Sequence, residues 1–590
     1  MRTAPSAPAV CLAVALALAA CASPPPPPLT ADPGASGGPV LPAQAATDVQ
    51  HYDLTLAVDP VTRTIAGRLE MTAEIIEPTH EVMLHLDDRL EVSRVAVQGT
   101  DREFEHFGGL IRVVLPGALH KGELLHVAVD YAGEPRTAPR APWDGGFTWA
   151  QSADGSPWFT TTCQGEGADL WWPCEDHPND KPETMDLRIT VPEPLFCASN
   201  GTLQSVRPNG DGTQTFHWHI ASPISNYNVA LNVGPYVQLE ATYASLAGVD
   251  VPVFFWVLPE SKDQGEMFLP QILEHLRFFE ETVGPYPFRH EKYGVVETPH
   301  LGMEHQTIIA YGNKFRPADG LDGDYDWLHH HELSHEWWGN LVTCRDWKDM
   351  WIHEGFGTYM QALYLQRRFG EEAYRDEMRK NGRRLNHRRP VAPRESRDSK
   401  QIYFADDGSH DNDIYSKGSW VLHTLRFVMG DKDFFEALRR MAYPDPALEE
   451  VTDGSQVRFV DTEDFRALVE EITEEDYEWF FEVYLRQPEL PVLVARRQGR
   501  DLSLRWQVPE GLRFPMPIQL DLDGRLMRVL MPSGRALVPV GENAVIVDPH
   551  DRVLFVLDDG SPPVEEVEEV PAGGEAEGDA SDDEAAAGED

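Results

Sequence analysis

His331-Glu332-Leu333-Ser334-His335, followed at a distance by Glu354, is the stretch from which the rest of the chain is read. Residues four apart on a helix share a face, so His331 and His335 turn both imidazoles toward one point, with Glu332 beside it. Two imidazoles so placed suit a divalent cation. A catalytic zinc takes three protein ligands and keeps a fourth position open, and a carboxylate from a neighbouring helix is a common third. Glu354 meets that need, so the expected cofactor is one zinc ion on His331, His335 and Glu354. The same residues also fit a solvated polar helix face. His329 and His330 offer further nitrogens, but they lie six and five residues before His335 and point away from its face.

The 590 residues are enough for several domains, and the formal net charge is -47. An acidic balance of that size argues against a nucleic-acid partner and fits an enzyme with a polar surface. Arg2 and the apolar stretch from Cys11 to Ala20 are expected to form a signal peptide over residues 1–20. Leu18-Ala19-Ala20-Cys21 resembles a bacterial lipobox, which makes Cys21 the lipidation site and the membrane a partner. A plain secretory signal is the alternative. The proline tract from Pro24 to Pro28 suits a spacer, so 21–46 is expected to be a linker, with the protein exported to the cell envelope and anchored at the outer membrane. The four later cysteines, Cys163, Cys174, Cys197 and Cys344, are packing residues or one optional bridge.

Tyr52, Leu54, Leu56 and Val58, then Ile65, Leu69, Met71 and Ala73, alternate with a period of two. Such runs predict a largely antiparallel β domain over 47–249. Phe268, Ile272, Leu276 and Phe279 open a mostly helical block over 250–487, with helical patterns at 325–341, 353–369, 415–429 and 462–485. Alternation returns beyond Pro488 and predicts a small β-sandwich over 488–558. Residues 559–590 are acidic with almost no aromatics, a composition that cannot bury a core.

Several strings carry a family resemblance. His331-Glu332-Leu333-Ser334-His335-Glu336-Trp337-Trp338-Gly339-Asn340 with Trp351-Ile352-His353-Glu354-Gly355 resembles the zinc aminopeptidases of the aminopeptidase N type, which include leukotriene hydrolase. Nineteen positions separate His335 from Glu354, as that family's motif requires. Pro173-Cys174-Glu175-Asp176 and Gly284-Pro285-Tyr286-Pro287-Phe288 extend the likeness. It implies a multidomain α+β fold: an N-terminal β saddle, a thermolysin-like catalytic domain and a C-terminal β-sandwich, here with no counterpart of the large helical domain of longer members.

The resemblance also assigns roles. Glu332 becomes the general base. Leu301-Gly302-Met303-Glu304-His305 is similar to the family's Gly-Ala-Met-Glu-Asn strand, which makes Glu304 the anchor of a substrate's free amine and places Gly302 and Met303 beside the peptide; Leu301 and His305 depart from it. Gln164 stands where relatives commonly carry a second, charged amine contact, and leukotriene hydrolase also has glutamine there. Tyr415-Ser416-Lys417-Gly418 resembles the segment whose tyrosine stabilises the oxyanion. Asp349 or Asn340 is expected to orient the metal ligands. The implied activity is hydrolysis of the N-terminal peptide bond of peptides. Epoxide hydrolysis, favoured by Gln164 and the Cys163 to Cys174 spacing, and a non-catalytic envelope-binding role are the alternatives.

Overall fold

In the computed structural model the described residues are 35–316, 325–405 and 408–560. The signal peptide, Cys21 and the acidic tail beyond Gly560 lie outside them.

The N-terminal β region is built on an eight-stranded sheet in the order Thr202–Pro208, Thr213–Ile220, Thr184–Pro192, Thr47–Asp59, Thr64–Ile75, Leu124–Gly133, Leu90–Val97, Thr100–Arg102. The period-two pattern sets its faces: Tyr52, Leu54, Leu56 and Val58 are buried while their neighbours reach the surface. The pairing is antiparallel except where Thr47–Asp59 runs parallel to Thr184–Pro192. A smaller sheet of Phe196–Ala198, Asn232–Gly234, Pro157–Thr162 and Gly146–Gln151 delivers the chain to Gln164.

A five-stranded sheet follows, in the order Val237–Ala244, Asp250–Val257, Tyr293–Glu297, Ile309–Tyr311, Gly302–Met303. The border expected between 249 and 250 therefore falls inside a hairpin. Alternation carries no sign of which sheet a strand joins, and these two strands pair onward to Tyr293–Glu297. The short edge strand Gly302–Met303 lies beside the helices that follow.

Those helices are α1 (Lys262–Thr282), α2 (Trp327–Ser334), α3 (Trp351–Phe369), α4 (Glu371–Gly382), α5 (Lys400–Tyr403), α6 (Ser416–Met429), α7 (Asp431–Ala442), α8 (Thr462–Thr473) and α9 (Glu478–Tyr484). Two expected helices are shorter. The one expected over 325–341 ends at Ser334, after which His335, Glu336 and Trp337 bond back three residues and the chain passes through Gly339 at φ 146°. The one expected over 462–485 breaks at Glu474, whose left-handed backbone closes α8.

The C-terminal β region has a four-stranded sheet of Arg535–Pro539, Asp501–Gln507, Val492–Gln498 and Val556–Asp558 and a three-stranded sheet of Arg525–Val529, Ile518–Leu522 and Val545–Val547. Among the described residues every helix precedes it. Cys163, Cys174, Cys197 and Cys344 are buried free thiols, so the optional bridge is not formed. Part of the expected linker is also folded. Gly38 donates to the Arg397 carbonyl and Ser399 to the Ser36 carbonyl, which ties the segment before α5 to the start of the described chain.

Candidate metal centre and substrate site

His331 sits in the last turn of α2, and His335 caps that helix while keeping right-handed helical angles, so the four-residue spacing survives the early stop. Glu354 comes from the first turn of α3, where the partial positive charge of the helix end favours a carboxylate. The His331 and His335 Nε2 atoms are 3.3 Å apart, and Glu354 Oε2 is 3.3 Å from the first and 3.4 Å from the second. Donors about 2.1 Å from a tetrahedral zinc stand about 3.4 Å from one another, so this nearly equilateral set fits that ion. Glu354 Oε2 is buried and accepts no hydrogen bond, as a ligand oxygen should. The early end of α2 helps, because it frees the Trp338 carbonyl to lie 2.9 Å from His335 Nδ1. A ring proton there leaves Nε2 as the donor to metal.

Electrostatics point the same way. Burial opposes a charge on His335, yet Glu354, Glu304 and Glu332 outweigh it and push its pKa up to about 10. Burial likewise opposes charge on Glu354, but His335 and His331 hold it far below the usual carboxylate range. The pocket is thus arranged around one positive charge, which a divalent cation supplies better than a proton. Glu304, Glu332 and His335 form a second convergent set. Glu304 is already engaged by hydrogen bonds there, which leaves the set containing the unpaired Glu354 oxygen as the better candidate for a metal. A further grouping, His51, Asp53 and Asp186 on the large sheet, has the Arg188 guanidinium bonded to Asp53, which opposes a cation. His329 and His330 point into the core, His329 bonding His275 and Tyr293 and His330 packing on Phe279 and Tyr364.

Glu332 is buried beside the ligands, and its pKa is raised well above the usual carboxylate value, first by burial and then by Glu304 and Glu354. The edge strand makes room for it. A Cβ added at Gly302 would come within 2.5 Å of Glu332 Oε1 and 2.7 Å of Leu328. Gly302→Ala is therefore expected to displace the carboxylate and lower kcat by ~10²-fold, the cost of misplacing a reacting group by about 1 Å. Unchanged zinc content with reduced turnover in steady-state assays is the expected signature.

Glu304 follows Met303 out of that strand and faces the ligands. It accepts hydrogen bonds from the Gln164 amide and from the Tyr227 hydroxyl, the latter at 3.0 Å. Gln164 Oε1 accepts from the Tyr403 hydroxyl at 2.6 Å. Gln164 is thus oriented with its amide toward Glu304 and its carbonyl toward Tyr403. Tyr227 and Tyr403 are absent from the sequence reading, because each lies far from any motif and is brought in by tertiary packing alone. His305, in place of the usual asparagine, is buried with neither ring nitrogen hydrogen-bonded among the described residues.

Tyr415 precedes α6, with its ring 5.9 Å from that of His331, and after burial the charge of Glu354 does most to raise the pKa of its hydroxyl. The approach of α6 to α3 depends on two glycines: a Cβ on Gly355 or on Gly418 would lie 2.9 Å from the other's Cα. Neither expected orienting side chain bonds an imidazole of the candidate metal set. Asp349 bonds Thr462, and Asn340 bonds the Glu304 carbonyl and Glu336, so the carbonyl of Trp338 takes the role instead.

Comparison with known proteins places this geometry. The peptidase M1 N-terminal domain model matches residues 48–228, and the peptidase family M1 domain model matches residues 272–484. The chain belongs to peptidase family M1. An M1 zinc metallopeptidase from Deinococcus radiodurans bound to a Tyr-Ser-Ala substrate is 26% identical, with a TM-score of 0.62 over 78% of this chain and 98% of that one. Aminopeptidase M1-C of Oryza sativa subsp. japonica is 24% identical over 77% of this chain and 51% of its own. Leukotriene A-4 hydrolase of Xenopus laevis is 24% identical over 58% of this chain and 54% of its own. This M1 chain therefore spans about half the length of the curated relatives it matches.

Proposed function

We propose that this M1 chain is a zinc aminopeptidase that hydrolyses the N-terminal bond of peptides. The observation that carries the reading is the buried carboxylate of Glu304 facing a three-donor metal set, since a carboxylate there pairs with a free ammonium and brings the first peptide bond to the metal. A zinc ion on His331, His335 and Glu354 would polarise the scissile carbonyl and make water acidic enough to attack near neutral pH. Glu332 takes the proton of the attacking water and passes it to the departing amine. Tyr415 donates its hydroxyl proton in a hydrogen bond to the developing oxyanion. Glu304 holds the ammonium, and Gln164 holds Glu304. Gln164 and the Cys163 to Cys174 spacing favour the alternative reading, epoxide hydrolysis of the leukotriene-hydrolase type.

The test is hydrolysis of unblocked against N-acetylated peptides by zinc-loaded protein. Release of N-terminal residues from unblocked peptides only is expected, with loss of activity on chelation and recovery at about one equivalent of zinc. Equal cleavage of both would make it an endopeptidase, and no cleavage with zinc bound would leave a binding protein. From the sequence alone we also propose export to the envelope through a lipid on Cys21. Incorporation of labelled fatty acid, lost in Cys21→Ser, is the expected result.

A further inference from the structure

We propose that residues 36–38 form a strap that positions the amine-recognition pair Gln164 and Glu304, with Gly37 and Gly38 as its positioning residues, an inference that rests on the aminopeptidase reading. The strap runs against residues 397–399, just before α5. Gly37 bridges antiparallel to Asp398, the Gly38 N–H donates to the Arg397 carbonyl at 2.9 Å, and the Ser399 N–H donates to the Ser36 carbonyl at 2.9 Å. Its other side lies on the N-terminal β region. The Gly37 N–H donates to the Asp176 carbonyl at 3.3 Å, and His177 Nε2 donates to the Gly38 carbonyl at 2.8 Å.

Helix α5 needs such a hold. Its four residues make a single turn, too short to persist by itself, so packing decides where Tyr403 at its end is placed. Arg389 holds the far end by donating to the carbonyls of Gln401, Ile402 and Phe404, and the strap holds the near end. Between them Tyr403 is buried, and its hydroxyl donates to Gln164 Oε1 at 2.6 Å, which turns the Gln164 amide toward Glu304. Gly37 reaches the same pair by a second route. A Cβ there would lie 2.1 Å from Trp347 Cδ1, so only glycine seats the strap on that buried indole. The Trp347 ring meets that of Tyr227 edge-on at 5.6 Å, and the Tyr227 hydroxyl donates to Glu304 at 3.0 Å. Both side chains that donate to Glu304 are thus backed, each through one tyrosine, by the strap.

Gly38→Pro releases the near end of α5, because proline has no N–H for the Arg397 carbonyl and cannot take the φ of 75° found there. A Cβ at Gly38 would come no nearer than 3.9 Å to Asp398, so this variant reads the strap even where Gly37→Ala, with its clash on Trp347, prevents folding. In the zinc-loaded full-length protein either variant is expected to raise KM for an unblocked peptide roughly tenfold, the scale of one hydrogen bond to a charged group, with kcat within about twofold. The companion measurement is the affinity of an α-aminophosphonate peptide analogue and of its des-amino counterpart. The amino form is expected to weaken by about the same factor, while the des-amino form binds variant and wild type alike. In a Tyr403→Phe background Gly38→Pro is expected to add little, since both changes act through one contact. An amino preference left intact, equal weakening of both inhibitors, or a Gly38→Pro loss that persists in full in Tyr403→Phe would overturn the proposal. A wild-type enzyme that holds zinc but cleaves no unblocked peptide would overturn the underlying reading instead.

Discussion

Glu332→Gln is expected to lower kcat by on the order of 10²–10⁴-fold, the usual contribution of a general base. The substitution keeps the side chain's shape but removes its capacity to take a proton. It should leave zinc content unchanged, because the proposed metal donors are the Nε2 atoms of His331 and His335 and the Oε2 atom of Glu354. Glu332 is also one of three buried carboxylates around His335, so the neutral amide reduces the crowding of negative charge there. Stability is therefore expected to hold or to rise. Metal analysis, steady-state kinetics and a thermal melt on the same sample check all three points, and a variant with near-normal kcat would remove Glu332 from the mechanism.

Tyr415→Phe has the second largest expected effect, a loss of 10²–10³-fold in kcat with little change in KM, on the order of what one oxyanion donor contributes. Burial raises the Tyr415 pKa well above its usual value, with Glu354 and Tyr403 adding to the shift, so the hydroxyl stays protonated across the working range. It acts by hydrogen bonding and not as a base. The proposed metal donors lie on His331, His335 and Glu354, so zinc affinity is expected to hold. Isothermal titration of the metal-free variant with zinc measures this, and a kcat within tenfold of wild type would place the oxyanion donor elsewhere.

The candidate metal set was legible because its spacing is local. Two ligands lie one helical turn apart, and the third sits at a spacing that the family resemblance fixes. The resemblance likewise pointed to Glu304 and Tyr415, which occupy recognisable strings. What orients these residues was not legible. The carbonyl that aims His335 belongs to Trp338 and is available only because α2 stops at Ser334, which depends on how the next turn packs. Asp349 and Asn340 looked suitable by type, yet their partners are Thr462 and the Glu304 carbonyl, far away in sequence. Tyr227 and Tyr403 carry no motif at all.

The border at 249 shows the same limit for the fold. Alternation identifies a strand, because the side-chain period of two follows from the backbone. It does not say which sheet the strand joins, since the hydrogen-bonding edge of a strand is the same whatever its sequence. By itself the sequence determined the spacing of His331, His335 and Glu354, on which the proposed metal set rests, and the order of β, helical and β regions, all set by spacing and periodicity along the chain. Only the tertiary structure decided that Gly302 makes room for Glu332, that Gly355 and Gly418 bring Tyr415 to Glu354, and that Gln164 turns its amide toward Glu304. Those are contacts between segments distant in sequence, and their distances exist only once the chain is folded.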